Sequence, residues 1–371
     1  MIKNNNKTIL ICSNCAWNII NFRLPLIKSL NENGYSVVVV TKFDGYEKQV
    51  SEYVDKIEPL FISNKGINPF VDVITLLNLI IAFFKLKPKY LLLFTIKPVI
   101  YGSIIAKLYK IKTIVMITGL GTAFIANNWM TSLVKFLYKR ALSTASTIFF
   151  QNNDDKDLFL NDALAIPNLC KLTPGSGLDI QEFPYKSPLP DKQIIFTLIA
   201  RIIWDKGIGE YVQAAKIIKS KYPNIKFQLL GPIGVENRTA IPANTVSNWV
   251  DKGYVEYIEE TTDVKPYIEN SSCIVLPSYR EGTSRVLLEA AAVGRPIIAS
   301  DVAGCREIVE NGISGFLCKP KDCDDLSNKI EDMLCLSFEE RKNMGIVGRK
   351  KVKKDFSHEI VNDLFLDAIK N

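Results

Sequence analysis

The fold is decided at residues 273–289, where the sequence reads CIVLPSYREGTSRVLLE. The apolar run Cys273–Leu276 predicts a buried parallel strand. The small residues Gly282–Ser284 then form a turn before an apolar helical pattern. A helix start carries unpaired backbone N–H groups and partial positive charge, so it attracts anions. The stretch therefore predicts a phosphate-binding turn at the carboxyl end of a strand.

Two carboxylates bracket this turn. Glu281 precedes the turn, and Glu289 lies about two helical turns further along the predicted helix. One carboxylate can therefore lie beside a phosphate, and the other beside a group that extends from that phosphate. A sugar nucleotide has this shape.

Length and composition indicate a soluble globular protein of two domains. A chain of 371 residues, 47% of them hydrophobic, is too long for one core and has enough apolar residues for two. The positive excess lies in residues 1–180, which hold 20 Lys and Arg against 12 Asp and Glu; the remainder hold 26 against 27. This asymmetry predicts an anionic partner for the first half. Nucleic acid is disfavoured, because the basic residues are scattered and no reading motif is present.

Short apolar runs that alternate with helical patterns predict parallel sheets. In the first half, strands are predicted at residues 9–12, 37–41, 90–94, 113–117 and 147–150. In the second half, they are predicted at residues 194–200, 226–230, 255–258, 273–276 and 296–300. We expect an α/β protein built from two Rossmann-like, doubly wound parallel sheets.

A proline-rich segment at 182–190 predicts a stiff linker between the two halves. The expected domains are 1–182, whose basic excess predicts an anionic partner, and 191–355, which carries the predicted phosphate-binding turn, with a cleft between them. Residues 356–371 carry an apolar helical face, so we expect this last helix to pack back on the first domain.

A pair of basic residues follows the predicted strand 194–200. Arg201 offers a planar guanidinium suited to two-point phosphate contact, and Lys206 offers a compact ammonium. Gly207 would let the next helix approach closely. Alone, the two cations are typical of a solvated surface; their position at a strand end favours a shared diphosphate site with Glu281.

Candidate residues in the first half carry less specific signals. Gly119 and Gly121 follow the predicted strand 113–117 and would let the backbone approach a sugar or phosphate, although a plain strand-to-helix turn explains them equally. Arg23 and Lys97 are candidate ligands of an anionic acceptor, against the alternative of ordinary surface charge.

Two helical segments bear on a membrane partner. Residues 70–84 are the longest apolar stretch, but Asp72 and Asn78 interrupt it and it falls short of about 20 residues, so a buried amphipathic helix is favoured over a membrane span. Residues 128–140 combine an apolar face with lysines and an early tryptophan. That composition suits a helix at a membrane interface, and a core-packed helix equally.

Neither metal binding nor histidine chemistry is indicated. The one histidine, His358, lies in the C-terminal helical pattern, and the acidic pairs at 155–157 and 322–324 open helical patterns, where acidic residues are favoured. The eight cysteines are irregularly spaced, which predicts reduced thiols. We expect no cofactor and no metal.

These motifs resemble the retaining glycosyltransferases of family 4, which have the GT-B fold. The family's E-x7-E motif stands here as Glu281 and Glu289, and its phosphate-binding pair stands as Arg201 and Lys206 with Gly207. The resemblance covers nearly the whole chain.

A narrower likeness is to bacterial enzymes that build capsule, O-antigen or protein-linked glycans on a polyprenyl diphosphate carrier, N-acetylgalactosaminyltransferases among them. The segments 21–27, 95–102 and 118–121 carry it. Many family members have His or Glu near the catalytic turn of the first domain, where Thr118 stands here, so the resemblance carries over no acceptor-side catalytic residue. Thr118 is a candidate acceptor-binding residue.

The resemblance implies a role for each site residue. Glu289 would bind the ribose hydroxyls, and Glu281 would hold the donor sugar. Tyr257 and Ile258 fall where the family lines its base pocket. The diphosphate would be surrounded by the turn residues Gly282, Thr283 and Ser284, through the backbone N–H groups of the last two, and by Arg201, Lys206 and Gly207. Glu281, Arg201 and Lys206 are the expected catalytic residues, since they surround the leaving group.

The expected activity is metal-independent, retaining transfer of a hexose or N-acetylhexosamine. A UDP-GalNAc- or UDP-GlcNAc-type donor is favoured, with a polyprenyl-diphosphate-linked saccharide as acceptor. The first domain would face the acceptor and contact the anionic inner face of the cytoplasmic membrane, and the second domain would bind the nucleotide sugar. The alternatives are a nucleotide-sugar epimerase of the same fold and a non-catalytic nucleotide- or lipid-binding protein. A dehydrogenase is disfavoured, because no G-x-G-x-x-G follows the first strand.

Overall fold

Two parallel sheets organise the chain. The computed structural model describes residues 7–63, 69–120, 129–188 and 193–371. Within these residues, the first sheet has seven strands: β1 (Thr8–Ser13), β2 (Ser36–Thr41), β3 (Lys56–Pro59), β4 (Tyr90–Phe94), β5 (Lys112–Ile117), β6 (Thr147–Phe150) and β7 (Cys170–Leu172). The second sheet has six described strands: β8 (Ile195–Ile199), β9 (Lys226–Leu230), β10 (Glu256–Ile258), β11 (Cys273–Leu276), β12 (Ile297–Ser300) and β13 (Gly315–Cys318).

Helices alternate with these strands. Those before β8 are α1 (Ala16–Glu32), α2 (Glu47–Ser51), α3 (Pro69–Leu86), α4 (Ser103–Tyr109), α5 (Trp129–Leu142) and α6 (Asn153–Asn161). Those after β8 are α7 (Ile208–Lys221), α8 (Ala243–Asp251), α9 (Lys265–Asn270), α10 (Arg285–Val293), α11 (Cys323–Cys335), α12 (Phe338–Asp355) and α13 (His358–Lys370).

Both sheets are doubly wound. Their strand orders are β3-β2-β1-β4-β5-β6-β7 and β10-β9-β8-β11-β12-β13, and every pair is parallel. Every residue of β1 and of β11 is buried, as expected for strands covered by helices on both faces. The predicted α/β class with two Rossmann-like sheets is confirmed.

The chain divides into two compact units. One comprises Met1–Gly177 with His358–Asn371, and the other comprises Leu178–Ser357. The second unit therefore begins before the predicted linker at 182–190. The Leu178 N–H donates to the Phe356 carbonyl at 2.9 Å, and the Lys186 N–H donates to the Val293 carbonyl at 3.0 Å. Residues 182–188 are thus attached to the second unit, because prolines stiffen a segment without preventing it from packing.

Three strands have no counterpart in the sequence prediction: β3, β7 and β13. Each lies at an edge of its sheet. Their sequences are KIEP, CKL and GFLC, in which charged residues, proline or glycine replace the β-branched residues of the central strands. An edge strand is covered less completely, so its composition carries a weaker hydrophobic signal.

The last helix, α13, completes the core of the first unit. Phe365 is fully buried, and its ring lies 4.8 Å from the ring of Phe149 in β6 and 5.8 Å from that of Phe94 in β4. The Asn362 amide donates to the carbonyl of Pro25 in α1 at 3.4 Å. The C-terminal helix therefore covers the same side of the first sheet as α1.

Helix α3 has one buried face, as the predicted amphipathic helix at residues 70–84 requires, but its exposed face is apolar. Its buried face includes Leu79 and Phe83, whereas the apolar side chains of Leu77, Ile81 and Phe84 are exposed. By length and composition alone, α3 is the one helix in the described part of the chain that could cross a membrane. Its mean hydropathy is 1.9 over 18 residues, of which 28% are buried.

Helix α5 packs as a core helix. Val134 and Tyr138 are buried in the cluster that also contains Leu79 and Phe83 of α3. Lys135 forms an ion pair with Asp162 at 3.0 Å. Of the two interpretations of residues 128–140, the structure thus favours the core-packed helix for the residues from 129 onward.

Substitution of Phe365 by alanine should destabilise the first unit. It removes a buried ring between two others, and such changes cost about 3–5 kcal/mol. Denaturant unfolding checks this, with the exposed Asp367→Ala on the same helix as control; a loss no larger than that of the control would contradict the packing role of α13.

Candidate active site

The predicted donor-site residues lie at the carboxyl edge of the second sheet. Strands β8 and β11 are neighbours there, and chain order reverses between them. Arg201 follows β8, and Glu281 follows β11. In open α/β sheets, ligands bind at such a reversal, because the loops of the two strands diverge and leave a crevice between them.

An ion pair joins the two loops. The Lys206 ammonium lies 2.5 Å from Oε1 of Glu281, and the two side chains are 19% and 12% exposed. The backbone around the pair is also joined: the Asp205 carbonyl accepts the Tyr279 N–H at 2.9 Å and the Ser278 hydroxyl at 3.2 Å. The cation and the carboxylate are therefore positioned before any ligand binds.

Gly207 permits this close approach. Its φ is +70°, and a Cβ at this position would lie 2.0 Å from the carbonyl oxygen of Pro277. Any side chain would thus push the start of α7 away from the loop after β11. The predicted reason for glycine at this position is supported by the geometry.

Two further glycines at this edge were missed by the sequence analysis. A Cβ on Gly231, after β9, would lie 1.9 Å from the Ala200 carbonyl, and one on Gly304, after β12, would lie 2.4 Å from the Gly282 carbonyl. Neither glycine belongs to a recognisable motif, so only the fold reveals that four loops pack backbone against backbone here.

The turn before α10 is partly committed to other bonds. The Ser284 N–H donates to the Gly304 carbonyl at 3.2 Å, and the use of this N–H for a phosphate stays a prediction. Ser284 is the N-cap residue of α10, but its hydroxyl does not cap the helix. The positive end of α10 is therefore not neutralised by the side chain at its N-cap, and Gly282 and Thr283 remain half-buried beside it.

Glu289 is a buried carboxylate that is paired with an arginine. It is 9% exposed, and its Oε1 accepts from Nε of Arg285 at 2.8 Å. Burial raises the pKa of Glu289, and the guanidinium of Arg285 offsets part of this effect. Arg285, one helical turn before Glu289, was missed by the sequence analysis although its spacing of four residues is a signal for such a pair.

The remaining donor-side residues lie on the same edge. The Tyr257 hydroxyl donates to the Gly231 carbonyl at 2.8 Å, and the Ile258 carbonyl accepts the Gly231 N–H at 3.2 Å. Arg201 is exposed, and its guanidinium has no ion-pair partner among the described residues. An anion at this edge would therefore meet one uncommitted cation, Arg201, and one paired cation, Lys206.

A second carboxylate also supports the loop after β11. Glu210 of α7 accepts a hydrogen bond from the Tyr279 hydroxyl at 2.7 Å. Burial and the nearby carboxylate raise the pKa of Tyr279, so this hydroxyl remains a donor. Asp205 in turn accepts from the Thr239 hydroxyl at 3.0 Å. This supporting layer was not predicted, because its members come from four separate segments.

The charged acceptor candidates in the first unit are Arg23, which is buried, and Lys97, which is paired. Arg23 is 2% exposed, with its guanidinium 4.0 Å from the ring centre of Phe94 and Nη1 donating to the Ser176 hydroxyl at 3.0 Å. Burial lowers its pKa to about 9. Lys97 forms an ion pair with Asp72 at 2.7 Å. In this structure Arg23 is enclosed and Lys97 is paired, and their role as ligands of an anionic acceptor stays a prediction.

The other first-unit candidates are half-buried or not described. Thr118 and Gly119 follow β5 and are half-buried, and Gly119 has a φ of +118°. Gly121 lies outside the described residues. Thr118 and Gly119 thus occupy the carboxyl edge of the first sheet, as their motif predicted.

The two acidic pairs serve as helix starts, as predicted. The Asp322 side chain accepts from the N–H groups of Asp324 and Asp325 at the start of α11, and Asp155 lies in the first turn of α6. Across the described ranges, no group of three or more His, Cys, Asp or Glu side chains is arranged to hold a metal ion.

Two family models match successive parts of the chain. The one described as "Glycosyl transferase 4-like" matches residues 9–152, and "Glycosyl transferases group 1" matches residues 179–351. The chain belongs to this glycosyltransferase family. The resemblance inferred from the E-x7-E motif is thereby confirmed, and the two matches correspond to the two sheets.

Relatives and solved structures agree with this assignment. The glycosyltransferase is 29% identical over 339 residues to the N,N'-diacetylbacillosaminyl-diphospho-undecaprenol alpha-1,3-N-acetylgalactosaminyltransferase of Campylobacter jejuni, covering 87% of this chain and 88% of the relative. It is 27% identical over 356 residues to the capsular polysaccharide biosynthesis glycosyltransferase CapM of Staphylococcus aureus, covering 90% of each. Anabaena HepE, solved with UDP-glucose, superposes with a TM-score of 0.80 at 14% identity over 98% of this chain and 99% of that one, which shows a shared GT-B fold.

A methyl group on Gly207 should disrupt the packing of loops at the carboxyl edge of the second sheet. Gly207→Ala combines a clash with the Pro277 carbonyl with the strain of a positive φ. It should therefore lower the free energy of unfolding by about 1–3 kcal/mol more than a substitution that introduces only the backbone strain. Gly253→Ala is the matched control, since Gly253 has φ +69° and nothing within 4 Å of its Cβ position. Denaturant unfolding compares the two; equal losses would contradict the close approach.

Replacement of Glu289 by glutamine should change the pH dependence of stability. Because the folded-state pKa of Glu289 is raised, its contribution to stability is full below the ordinary value of 4.5 and is lost as the pH rises through the raised value. Glutamine does not ionise, so Glu289→Gln should gain stability relative to the wild type as the pH rises above 4.5. Urea unfolding over a series of pH values measures the difference, with the exposed Glu32→Gln as control. If the free energy of unfolding changed with pH equally in Glu289→Gln and the wild type, the raised pKa of Glu289 would be contradicted.

Proposed function

We propose that this glycosyltransferase moves a hexose or N-acetylhexosamine from a uridine-linked donor to a saccharide carried on a polyprenyl diphosphate, with retention of anomeric configuration. The observation that carries the proposal is the Lys206–Glu281 ion pair beside the start of α10, at the strand-order reversal of the second sheet. A cation, a carboxylate and a positive helix end there suit a sugar attached to a diphosphate.

The comparisons support the substrate classes. The Campylobacter relative is named for an undecaprenol diphosphate acceptor and for transfer of N-acetylgalactosamine. HepE has the same fold and was solved with UDP-glucose. A UDP-GalNAc- or UDP-GlcNAc-type donor and a lipid diphosphate acceptor are therefore the first pair to test.

Each part of the donor has a counterpart at this edge. Glu289, whose carboxylate is already oriented by Arg285, would accept hydrogen bonds from the ribose hydroxyls. Tyr257 and Ile258 would flank the base at the end of β10. Arg201 is exposed and unpaired among the described residues, so it can turn to the diphosphate with little loss of existing contacts.

Catalysis would come from stabilising the leaving group. Breaking the anomeric C–O bond leaves positive charge on the sugar and negative charge on the diphosphate, which Lys206 and Arg201 would stabilise. Lys206 is held in place before binding, so little reorganisation accompanies the reaction. The free carboxylate oxygen of Glu281 would accept hydrogen bonds from sugar hydroxyls.

Retention would follow from attack on the face that the leaving group vacates. The acceptor hydroxyl forms the new C–O bond, and the departing phosphate oxygen takes its proton. We propose that these side chains supply the stabilisation without a divalent metal or other cofactor.

The proposed location is the inner face of the cytoplasmic membrane. A polyprenyl diphosphate is held in the bilayer, so an enzyme that uses it must work at the membrane surface. The basic excess of residues 1–180 would favour an anionic lipid surface. The resemblance to CapM, a capsular polysaccharide biosynthesis glycosyltransferase, supports a role in surface polysaccharide or glycan assembly.

Lys206→Ala and Glu281→Gln should each lower kcat for transfer by about 10²–10³-fold, because each removes a group that contacts the reacting part of the donor. Glu289→Gln should act mainly on the KM for the donor. Transfer is measured with a panel of UDP-sugars and a lipid diphosphate acceptor, with product detected by mass.

The matched control uses an ion pair of the second unit that lies elsewhere. Lys221 and Glu331 are 2.6 Å apart and more exposed, so Lys221→Ala and Glu331→Gln should leave kcat unchanged. Unchanged turnover in Lys206→Ala and Glu281→Gln would contradict the site. An altered sugar formed from donor alone would instead indicate epimerisation, and donor binding without turnover would indicate a binding protein.

A further inference from the structure

Helix α3 presents an apolar stripe to solvent. Val73, Ile74, Leu77, Ile81 and Phe84 are all more than two-fifths exposed, and they recur at helical spacing along one face. The charged residues of α3 are Asp72, which is buried, and Lys85 near its last turn. A solvent-facing helix normally carries charged residues on its outer face, so an apolar one indicates a partner.

The opposite face of α3 is fixed to the first unit by polar bonds. Asp72 pairs with Lys97 at 2.7 Å. The Thr75 hydroxyl donates to the Phe61 carbonyl at 2.8 Å, and Asn78 accepts the Phe61 N–H at 3.0 Å. If α3 crossed a bilayer, it would lose this ion pair and these hydrogen bonds, and its polar side chains would lie in hydrocarbon without partners. The helix is therefore built to lie along a surface despite having the composition of a span.

The charge at the end of the stripe identifies the surface. Lys85, Lys87 and Lys89 are exposed at and just after the last turn of α3, without an acidic residue between them. Lysines beside an apolar helix face suit anionic lipid, since the side chains enter the acyl boundary while the ammonium groups meet the headgroups. A second copy of the chain carries the same lysines and the same basic excess in residues 1–180, so charge does not favour it as the partner.

We propose that α3 is the membrane-docking element of this protein, with the stripe from Val73 to Phe84 entering the interface of an anionic bilayer in the plane of the membrane. The inference rests on the membrane-borne acceptor of the proposed function. It assigns the contact to α3 rather than to α5, whose Val134 and Tyr138 are occupied by the core.

The test is sedimentation of the full chain with vesicles of phosphatidylglycerol and phosphatidylethanolamine. The double variant Leu77→Gln and Ile81→Gln should lower the partition coefficient about tenfold or more. Val250→Gln with Ile313→Gln, at exposed apolar positions of the second unit, is the matched control and should bind like the wild type. Lys85→Gln with Lys89→Gln should lower binding about fivefold per lysine and reduce its salt sensitivity.

Three results would overturn the inference. The wild type could fail to bind vesicles, the Leu77/Ile81 variant could bind as well as the wild type, or light scattering could show that this variant abolishes a dimer while vesicle binding persists. Transfer to a water-soluble acceptor without vesicles is measured in parallel, and it should be equal in the wild type and the Leu77/Ile81 variant. If neither protein transferred a sugar, the proposed activity would be contradicted. The role of α3 is decided by the vesicle result alone.

Discussion

The active-site edge depends on backbone packing without intervening side chains. Gly207 lies against the Pro277 carbonyl, Gly231 against the Ala200 carbonyl, and Gly304 against the Gly282 carbonyl. These contacts bring the loops after β8, β9, β11 and β12 together. Only because the backbones approach so closely does Lys206 reach a carboxylate that is distant in the sequence. The chemistry of the site is thus a consequence of three positions that tolerate no Cβ.

Charge is used in two different ways in this molecule. At the carboxyl edge of the second sheet, Lys206 and Glu281 remain partly accessible, so their fields can act on a ligand. In the first unit, Arg23 is enclosed against Phe94 and loses most of its hydration, which lowers its pKa. A buried guanidinium of this kind contributes packing and hydrogen bonds rather than an accessible charge.

Much of the fold was predictable from the sequence, because the central strands are continuous apolar runs with clear turns after them. The grouping of the candidate donor-site residues was predictable for a similar reason: Glu281 and Glu289 lie on one local segment, so their spacing alone relates them to a turn. The burial of Arg23 and the pairing of Lys97 could not be predicted, because they depend on residues far along the chain, Ser176 and Asp72. The hydrogen bond of the Ser284 N–H could not be predicted either, because its acceptor belongs to the loop after β12.

The position of α13 has a consequence for how the protein is made. Its Phe365 fills the core of the first unit, yet the whole of the second unit lies between the two parts of that core in the chain. During synthesis, one apolar face of the N-terminal sheet therefore stays uncovered until the second unit and then α13 have been made. The first unit is thus the first to be synthesised and the last to be completed.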